Sequence, residues 1–130
     1  MSMDSIGDFL TIIRNGIHAA KRSVSAPFSN QRLGIASLLK EEGYIKDFEK
    51  IEAGCKSQLK IVLKYVDGES AIQKIVRIST PGRRHYEDLS SMKPVAGGLG
   101  VSILTTNVGI ITDRQARKLK VGGEVICHIR

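Results

Sequence analysis

Three small polar side chains, Thr105, Thr106 and Asn107, follow one another between two apolar segments of the chain. Hydroxyl and amide groups both donate and accept hydrogen bonds, and they carry no charge at neutral pH. Groups of this kind suit the recognition of bases and 2′-hydroxyls in a shallow RNA minor groove. An ordinary hairpin turn is the alternative explanation of the same residues.

A second group of polar residues comes directly after the turn predicted at 80–82. Arg83 and Arg84 carry guanidinium groups suited to phosphates, and Tyr86 carries a ring that stacks on a base or a sugar. The alternative is a solvated basic turn with Tyr86 at its rim.

The charge of the chain is unevenly distributed. The net charge of +7 over 130 residues favours an acidic partner such as nucleic acid. Residues 1–73 hold ten Lys and Arg against nine Asp and Glu, whereas residues 74–130 hold ten against four. Nearly all of the excess therefore lies in the half with both polar groups. That half includes a basic run that either grips an RNA backbone or only solubilises the chain: Arg114, Arg117, Lys118 and Lys120.

The residue types that usually carry catalysis are scattered. The cysteines at 55 and 127 and the histidines at 18, 85 and 128 form no CxxC pair and no cluster. We therefore predict reduced thiols, no metal site, no cofactor and no catalytic residue. A small enzyme built on Cys127–His128 or on the carboxylates is the competing hypothesis, although the sequence shows no nucleophile with a base and an oxyanion site.

Two acidic residues and a glycine cluster have other predicted roles. Glu124 follows two glycines in the basic half, and we expect it to accept a hydrogen bond from a base or to orient a lysine. Asp113 lies in the first turn of a predicted helix, where the helix dipole favours negative charge. Residues 97–100, GGLG, open a strand rather than a helix, so they predict a close backbone approach rather than a phosphate loop.

The apolar patterns predict the elements that position these residues. Residues 101–104 and 108–111 read as strands joined by the polar tip, with Gly109 free to take a backbone angle that other residues resist. Thr112 and Gln115 have the spacing of a capping box that starts a short helix. Further strands are predicted at 72–79 and 124–129.

In the N-terminal half, the sequence pattern predicts two helices and three strands. Helical spacing predicts one helix from Asp4 that fades near 16–20, and a second over 30–42 that Gly43 ends. The inward residues of the second helix are predicted to be Leu33, Ala36, Leu38 and Leu39. Strands are predicted at 23–29, 44–51 and 58–66, with a turn at 52–54.

Together these elements predict an α+β protein of two small domains. The first, at 1–66, is an α/β layer pair with two helices on a three-stranded sheet. A linker is predicted at 67–71, and the second domain, at 72–130, is β-rich, has one short helix and binds RNA. No run of the chain approaches the length of a membrane span, and the acidic N-terminus is unlike a signal peptide, so we expect a cytoplasmic protein.

Several motifs, taken in order, resemble one known family. The run GVSILTTNVGIITDRQARKLKVGGEVICHIR at 100–130 resembles the signature of the eighth small-subunit ribosomal protein in its bacterial form. Shorter matches to that family lie at 10–16, 43–45, 81–86 and 97–100, so the resemblance covers essentially the whole chain.

The resemblance implies a function and a set of contacts. It implies binding to a helix of the central domain of small-subunit ribosomal RNA, early in subunit assembly, beside neighbouring ribosomal proteins. The loop at 105–107, with Tyr86, Lys93 and Glu124 nearby, would read the minor groove. The N-terminal domain would touch the RNA backbone through its first helix, which carries Arg14, and through the loop around Ser29.

Two further binding functions remain as alternatives. Some relatives in the resembled family also bind their own messenger RNA as repressors, and the sequence leaves this open. A regulator of double-stranded DNA would need a helix-turn-helix, which the predicted Pro-containing strand between the first two helices disfavours.

Overall fold

The computed structural model describes residues 5–88 and 100–130. The described residues divide into two compact units, 5–72 and 73–130. The mixed α+β class is confirmed, with two helices and a three-stranded sheet in the first unit and one short helix among strands in the second. Whether 1–66 and 72–130 behave as independent domains stays a prediction.

The first unit contains two helices and the three-stranded antiparallel sheet β1-β3-β2. Its core is formed by the apolar faces of both helices and one face of the sheet, with Phe9, Ile13, Ile35, Leu59 and Ile61 fully buried. Its elements are α1 (Ser5–His18), β1 (Ser23–Pro27), α2 (Asn30–Glu41), β2 (Ile45–Ala53) and β3 (Lys56–Leu63).

The second helix packs inward mostly through the predicted residues. Ala36, Leu38 and Leu39 are buried as predicted, whereas Leu33 is only half-buried and Ile35 lies in the core. The neighbouring Arg32 is also buried, and its guanidinium donates to the carbonyls of Pro27 at 2.8 Å and Ser5 at 2.9 Å. An internally bonded arginine therefore occupies part of the face of α2 that packs inward.

The ends of these elements follow local chemistry. Gly43, at φ +81°, ends α2 as predicted, because the left-handed conformation is open to glycine without strain. The predicted turn at 52–54 lies one residue later in the chain, since β2 continues through Ala53. The predicted start of α1 at Asp4 lies outside the described residues.

The segment predicted as a linker belongs to a small hairpin. The strands β4 (Tyr65–Val66) and β5 (Glu69–Ser70) pair with each other around Asp67 and Gly68, both of which have positive φ. Residues 67–71 are therefore a turn and a paired strand rather than a free connection. The sequence analysis merged β4 with β3 because the apolar alternation continues through Tyr65.

The second unit is a five-stranded antiparallel sheet with a short helix. Its central strand β10 pairs with β8 on one edge and with β6 and then β7 on the other, while β8 also pairs with β9. The strands are β6 (Ile75–Arg77), β7 (Tyr86–Glu87), β8 (Val101–Thr106), β9 (Gly109–Thr112) and β10 (Gly123–Ile129), and the helix is α3 (Asp113–Leu119).

The helix covers one face of this sheet. Leu104 of β8, Val125 of β10 and Ala116 of α3 form a buried cluster. Residues next along each strand project to the opposite face, because side chains alternate. Within residues 5–88 and 100–130, no helix has the length and apolar character needed to cross a membrane.

Candidate nucleic-acid interface

Three of the predicted site residues form one row across the sheet of the second unit. In the strand registers, Glu124 of β10 lies opposite Tyr86 of β7 on one side and opposite Thr105 of β8 on the other. Directly opposed residues project from the same face, with Cβ atoms about 5 Å apart. This face is the one opposite α3. We name these three residues the polar row.

The carboxylate of the polar row is held by an arginine. Glu124 is only 9% exposed, and its Oε2 and Oε1 accept from Arg84 Nη1 at 3.1 and 3.4 Å. Glu124 was expected to accept a hydrogen bond from a base or to orient a lysine. Within the protein, the side chain that it pairs with is Arg84. This ion pair supplies the countercharge that a largely buried carboxylate needs.

Two glycines allow the strands of the row to approach closely. A Cβ on Gly123 would lie 2.4 Å from the carbonyl oxygen of Thr105, and one on Gly122 would lie 2.6 Å from that of Glu87. Because these two glycines have no side chain, β8 can pack closely against Gly123 and β7 closely against Gly122. Their spacing in the sequence does not show this close approach, which is visible only in the strand pairing.

The polar tip is a hairpin whose turn lies at 107–108, slightly later in the chain than the predicted 105–107. Thr105 and Thr106 are the last residues of β8, Thr106 pairs with Gly109, and the turn itself is Asn107–Val108. Gly109 has φ +113°, a backbone angle that other residues resist, as predicted. The tip is therefore a tight, regular reversal.

The three polar side chains of the tip differ in what they leave available. The Thr106 hydroxyl donates to the Gly109 carbonyl at 2.9 Å and accepts from the Val108 amide at 3.2 Å, so it stiffens the turn. Among the described residues, the Thr105 hydroxyl and the Asn107 amide make no hydrogen bond. Asn107 is exposed and Thr105 half-buried. The groups open to a ligand are thus Thr105 and Asn107.

A buried serine fixes the loop before Tyr86. Ser79 is 2% exposed, and its hydroxyl accepts from the His85 amide at 2.8 Å and donates to the His85 carbonyl at 3.2 Å. The Thr80 and Arg83 backbones also exchange hydrogen bonds at 3.0 and 3.1 Å. Arg83 is exposed on this loop, and Tyr86, at 69% exposure, follows it. The sequence pattern gave no signal for the role of Ser79.

The helix beside the sheet is built as its sequence predicted. Thr112 and Gln115 form the capping box, with the Gln115 amide donating to Thr112 Oγ1 at 3.3 Å. Asp113 is buried, accepts from the Ser102 amide at 3.3 Å and pairs with Arg117 at 2.9 Å. Arg117 is therefore structural, and the exposed cations of this helix and its end are Arg114, Lys118 and Lys120.

The remaining predicted site residues lie elsewhere. Ser29 and Arg14 belong to the first unit, where Ser29 caps α2 by accepting from the Arg32 amide at 3.2 Å and Arg14 is half-buried in α1. Lys93 and the glycines at 97 and 98 lie outside the described residues.

The thiol of the competing enzyme hypothesis is unsuited to catalysis. Cys127 is fully buried, and this burial raises the pKa of its thiol from 9.0 to about 12, so almost no thiolate exists at neutral pH. Burial also lowers the pKa of the neighbouring His128. Across the described part of the chain, no three His, Cys, Asp or Glu side chains come together as a metal site.

The second unit combines several groups that suit contact with nucleic acid. It presents hydrogen-bonding side chains, an exposed aromatic ring and exposed cations. Groups of these kinds suit RNA bases, sugars and phosphates.

Comparison with known proteins specifies the family. The model of the family described as Ribosomal protein S8 matches residues 4–130. Proteins named small ribosomal subunit protein uS8 match from Pseudomonas paraeruginosa, at 49% identity over 130 residues, and from Burkholderia lata, at 50% over 130 residues, each covering 99% of both chains. The protein of that name from Rhizobium meliloti is 48% identical over 127 residues, which cover 97% of this chain and 96% of the relative.

The chain therefore belongs to the ribosomal protein S8 family, and the resemblance noted in the sequence is confirmed. As a member, it is a structural component of the small ribosomal subunit rather than an enzyme, and it works within the ribosome with ribosomal RNA and ribosomal proteins as its partners.

Proposed function

We propose that this chain binds a helix of the central domain of small-subunit ribosomal RNA through the polar row and the β8–β9 tip, and that this binding supports subunit assembly. The observation that carries the proposal is the convergence of Tyr86, Glu124 and Thr105 in one row beside a stiff tip.

Attraction to RNA would come from the basic character of this half of the chain. Residues 74–130 carry ten basic and four acidic groups, and exposed Arg83, Lys118 and Lys120 are available to phosphates. Phosphate contacts supply affinity and register but no sequence information. Specificity must therefore come from the uncharged groups.

Specificity would come from three contacts of different kinds. The Thr105 hydroxyl and the Asn107 amide are open to bases and 2′-hydroxyls, which the wide, shallow minor groove of RNA displays. The exposed ring of Tyr86 would stack on a base or a sugar. Thr106 would act indirectly, because its hydroxyl holds the turn that presents its neighbours.

The Arg84–Glu124 pair would orient an acceptor toward the same groove. Arg84 holds the carboxylate in place, and a carboxylate has more acceptor sites than one arginine occupies. The remaining lone pairs would accept from a base amino group or a 2′-hydroxyl.

Chemical footprinting of small-subunit ribosomal RNA, with and without the purified protein, tests the proposal. Thr105→Val keeps the shape of the side chain and removes the hydroxyl, so we expect affinity to fall by about 1–2 kcal/mol at fixed salt. Ser25→Ala, which removes an exposed hydroxyl from the first unit, is the control and should bind like the wild type. Equal affinity of the two variants, or protections outside the central domain, would contradict the proposal.

The chain's own messenger RNA is a second ligand for the same surface. An RNA stem that displays the same minor-groove groups would meet the same side chains, so it would compete with the ribosomal RNA. A competition assay that compares the two RNAs, with wild type and Thr105→Val, measures whether one surface binds both.

A further inference from the structure

The first unit contains a groove that has no part in the interface described above. This groove has a volume of about 400 Å³, and we name it the basic groove. Cations contribute half of its lining, which consists of Arg22, Lys46, Val62, Leu63, Lys64 and Tyr65.

Hydrogen bonds fix one wall of the basic groove. The Tyr65 hydroxyl donates to the Lys21 carbonyl at 2.6 Å, and the Leu63 amide donates to the Arg22 carbonyl at 2.9 Å. These two bonds hold the connection between α1 and β1 against the end of β3. The backbone that carries Arg22 is therefore anchored beside Lys64 and Tyr65.

A β-bulge supplies the opposite wall. Ile45 pairs with Leu63 and Asp47 with Val62, so Lys46 is the extra residue of β2 and lines the groove. The adjacent carboxylate is engaged elsewhere, because Asp47 Oδ1 accepts from Lys40 Nζ at 2.9 Å and from the Phe48 amide at 2.8 Å. The bulge thus adds a cation to the groove while Asp47 is neutralised outside it.

The cations of the basic groove lack countercharges within the protein. Among residues 5–88 and 100–130, no carboxylate forms an ion pair with Arg22, Lys46 or Lys64. Elsewhere in the same unit, Lys40 pairs with Asp47 and Lys50 with Glu52. Three like charges around one concavity favour a bound anion.

We propose that the basic groove binds the phosphodiester backbone of RNA, as a contact additional to the polar row. This inference rests on the proposed function, because ribosomal RNA is the polyanion that a small-subunit protein meets. The lining also suits a nucleotide chain, since Val62, Leu63 and Tyr65 offer apolar and aromatic surface to sugars between the cations.

The experiment compares two double variants of the full chain that change the net charge equally. Lys46→Gln with Lys64→Gln empties the groove of two cations. Lys56→Gln with Lys60→Gln is the matched control, which removes two lysines of β3 that do not line the groove and form no ion pair among the described residues. Affinity for small-subunit ribosomal RNA is measured over a salt series, and hydroxyl-radical footprints are recorded at one salt concentration.

The groove variant should reduce the slope of log affinity against log salt by about 1 to 2, since each phosphate contact contributes roughly 0.7 to 0.9. It should also lose a set of backbone protections that Thr105→Val retains. The control should keep the wild-type slope and footprint.

Other outcomes separate this inference from the proposed function. If Thr105→Val weakens binding and the groove variant matches its control, the inference falls and the proposed function stands. If the groove variant lowers the slope and Thr105→Val has no effect, the groove is supported and the polar row is not. If the groove variant binds RNA normally but dissociates from assembled subunits, the groove binds a protein and the RNA assignment is wrong.

Discussion

Replacing Gly123 by alanine tests whether the close approach of β8 and β10 positions the polar row. The added Cβ would lie 2.4 Å from the Thr105 carbonyl oxygen and 2.8 Å from Thr106 Cγ2. Because ordinary van der Waals contact begins at 3.4 Å, the carbonyl must move away by about 1 Å. The substitution therefore acts on the residues that lead into the tip while it leaves every recognition side chain chemically intact.

The expected cost follows from that displacement. Overpacking of a closely packed site costs typically ~1–3 kcal/mol. We expect native-state hydrogen exchange to show a decrease of this size in the opening free energy of the backbone amides that pair β8 with β10. RNA affinity should fall about tenfold, because losing a hydrogen bond or two of ~1 kcal/mol each corresponds to that factor.

Gly82→Ala is the matched control in the same unit. A Cβ at Gly82 meets nothing within 4 Å, and this glycine does not have a positive φ. The control should be unchanged or more stable by about 0.4–1 kcal/mol, since alanine restricts the unfolded chain. Identical exchange rates and RNA affinity for the two variants would refute the reasoning.

Three further predictions concern two buried groups of the second unit, Cys127 and Asp113. In the folded protein, iodoacetamide should label exposed Cys55 and spare buried Cys127, giving one label per chain by mass spectrometry, whereas two labels would show that the thiol is accessible. The raised thiol pKa should also make the free energy of unfolding fall as pH rises from 9.0 toward about 12, because the Cys127 thiol ionises only in the unfolded chain in that window, and Cys127→Ala should make this pH dependence shallower in urea titrations. Asp113→Asn should lower the free energy of unfolding by about 1–3 kcal/mol, since Arg117 loses its charged partner, and an unchanged urea midpoint would contradict that role.

Local chemistry explains why much of the fold was predictable. The capping box of Thr112 and Gln115 and the helix end at Gly43 depend on residues within a few positions of each other, so the sequence alone specifies them. The burial of Arg32 was not predictable in this way. It depends on a hydrogen bond to the Ser5 carbonyl, 27 residues away, which no periodicity reveals.

The candidate site shows the same limit. Residue types identified Thr105, Tyr86 and Glu124 as polar groups suited to RNA, but their common row depends on a register between strands far apart in sequence. The same holds for the Thr106 hydroxyl, whose use inside the turn follows from the backbone geometry at Gly109. Residue types thus indicate a chemistry, and strand pairing decides which groups remain available for it.

The central position of β10 has a consequence for biosynthesis. Every partner of β10 precedes it in the chain, so a ribosome makes β6, β7, β8 and β9 before the strand that joins them exists. The strands and helices of the first unit, in contrast, are all translated before β6, since the last of them ends at Ser70. A partly translated molecule would therefore fold its first half early, and its second half would not join Tyr86 to Thr105 until β10 had emerged. Incomplete copies would thereby be kept from occupying the RNA through the polar row.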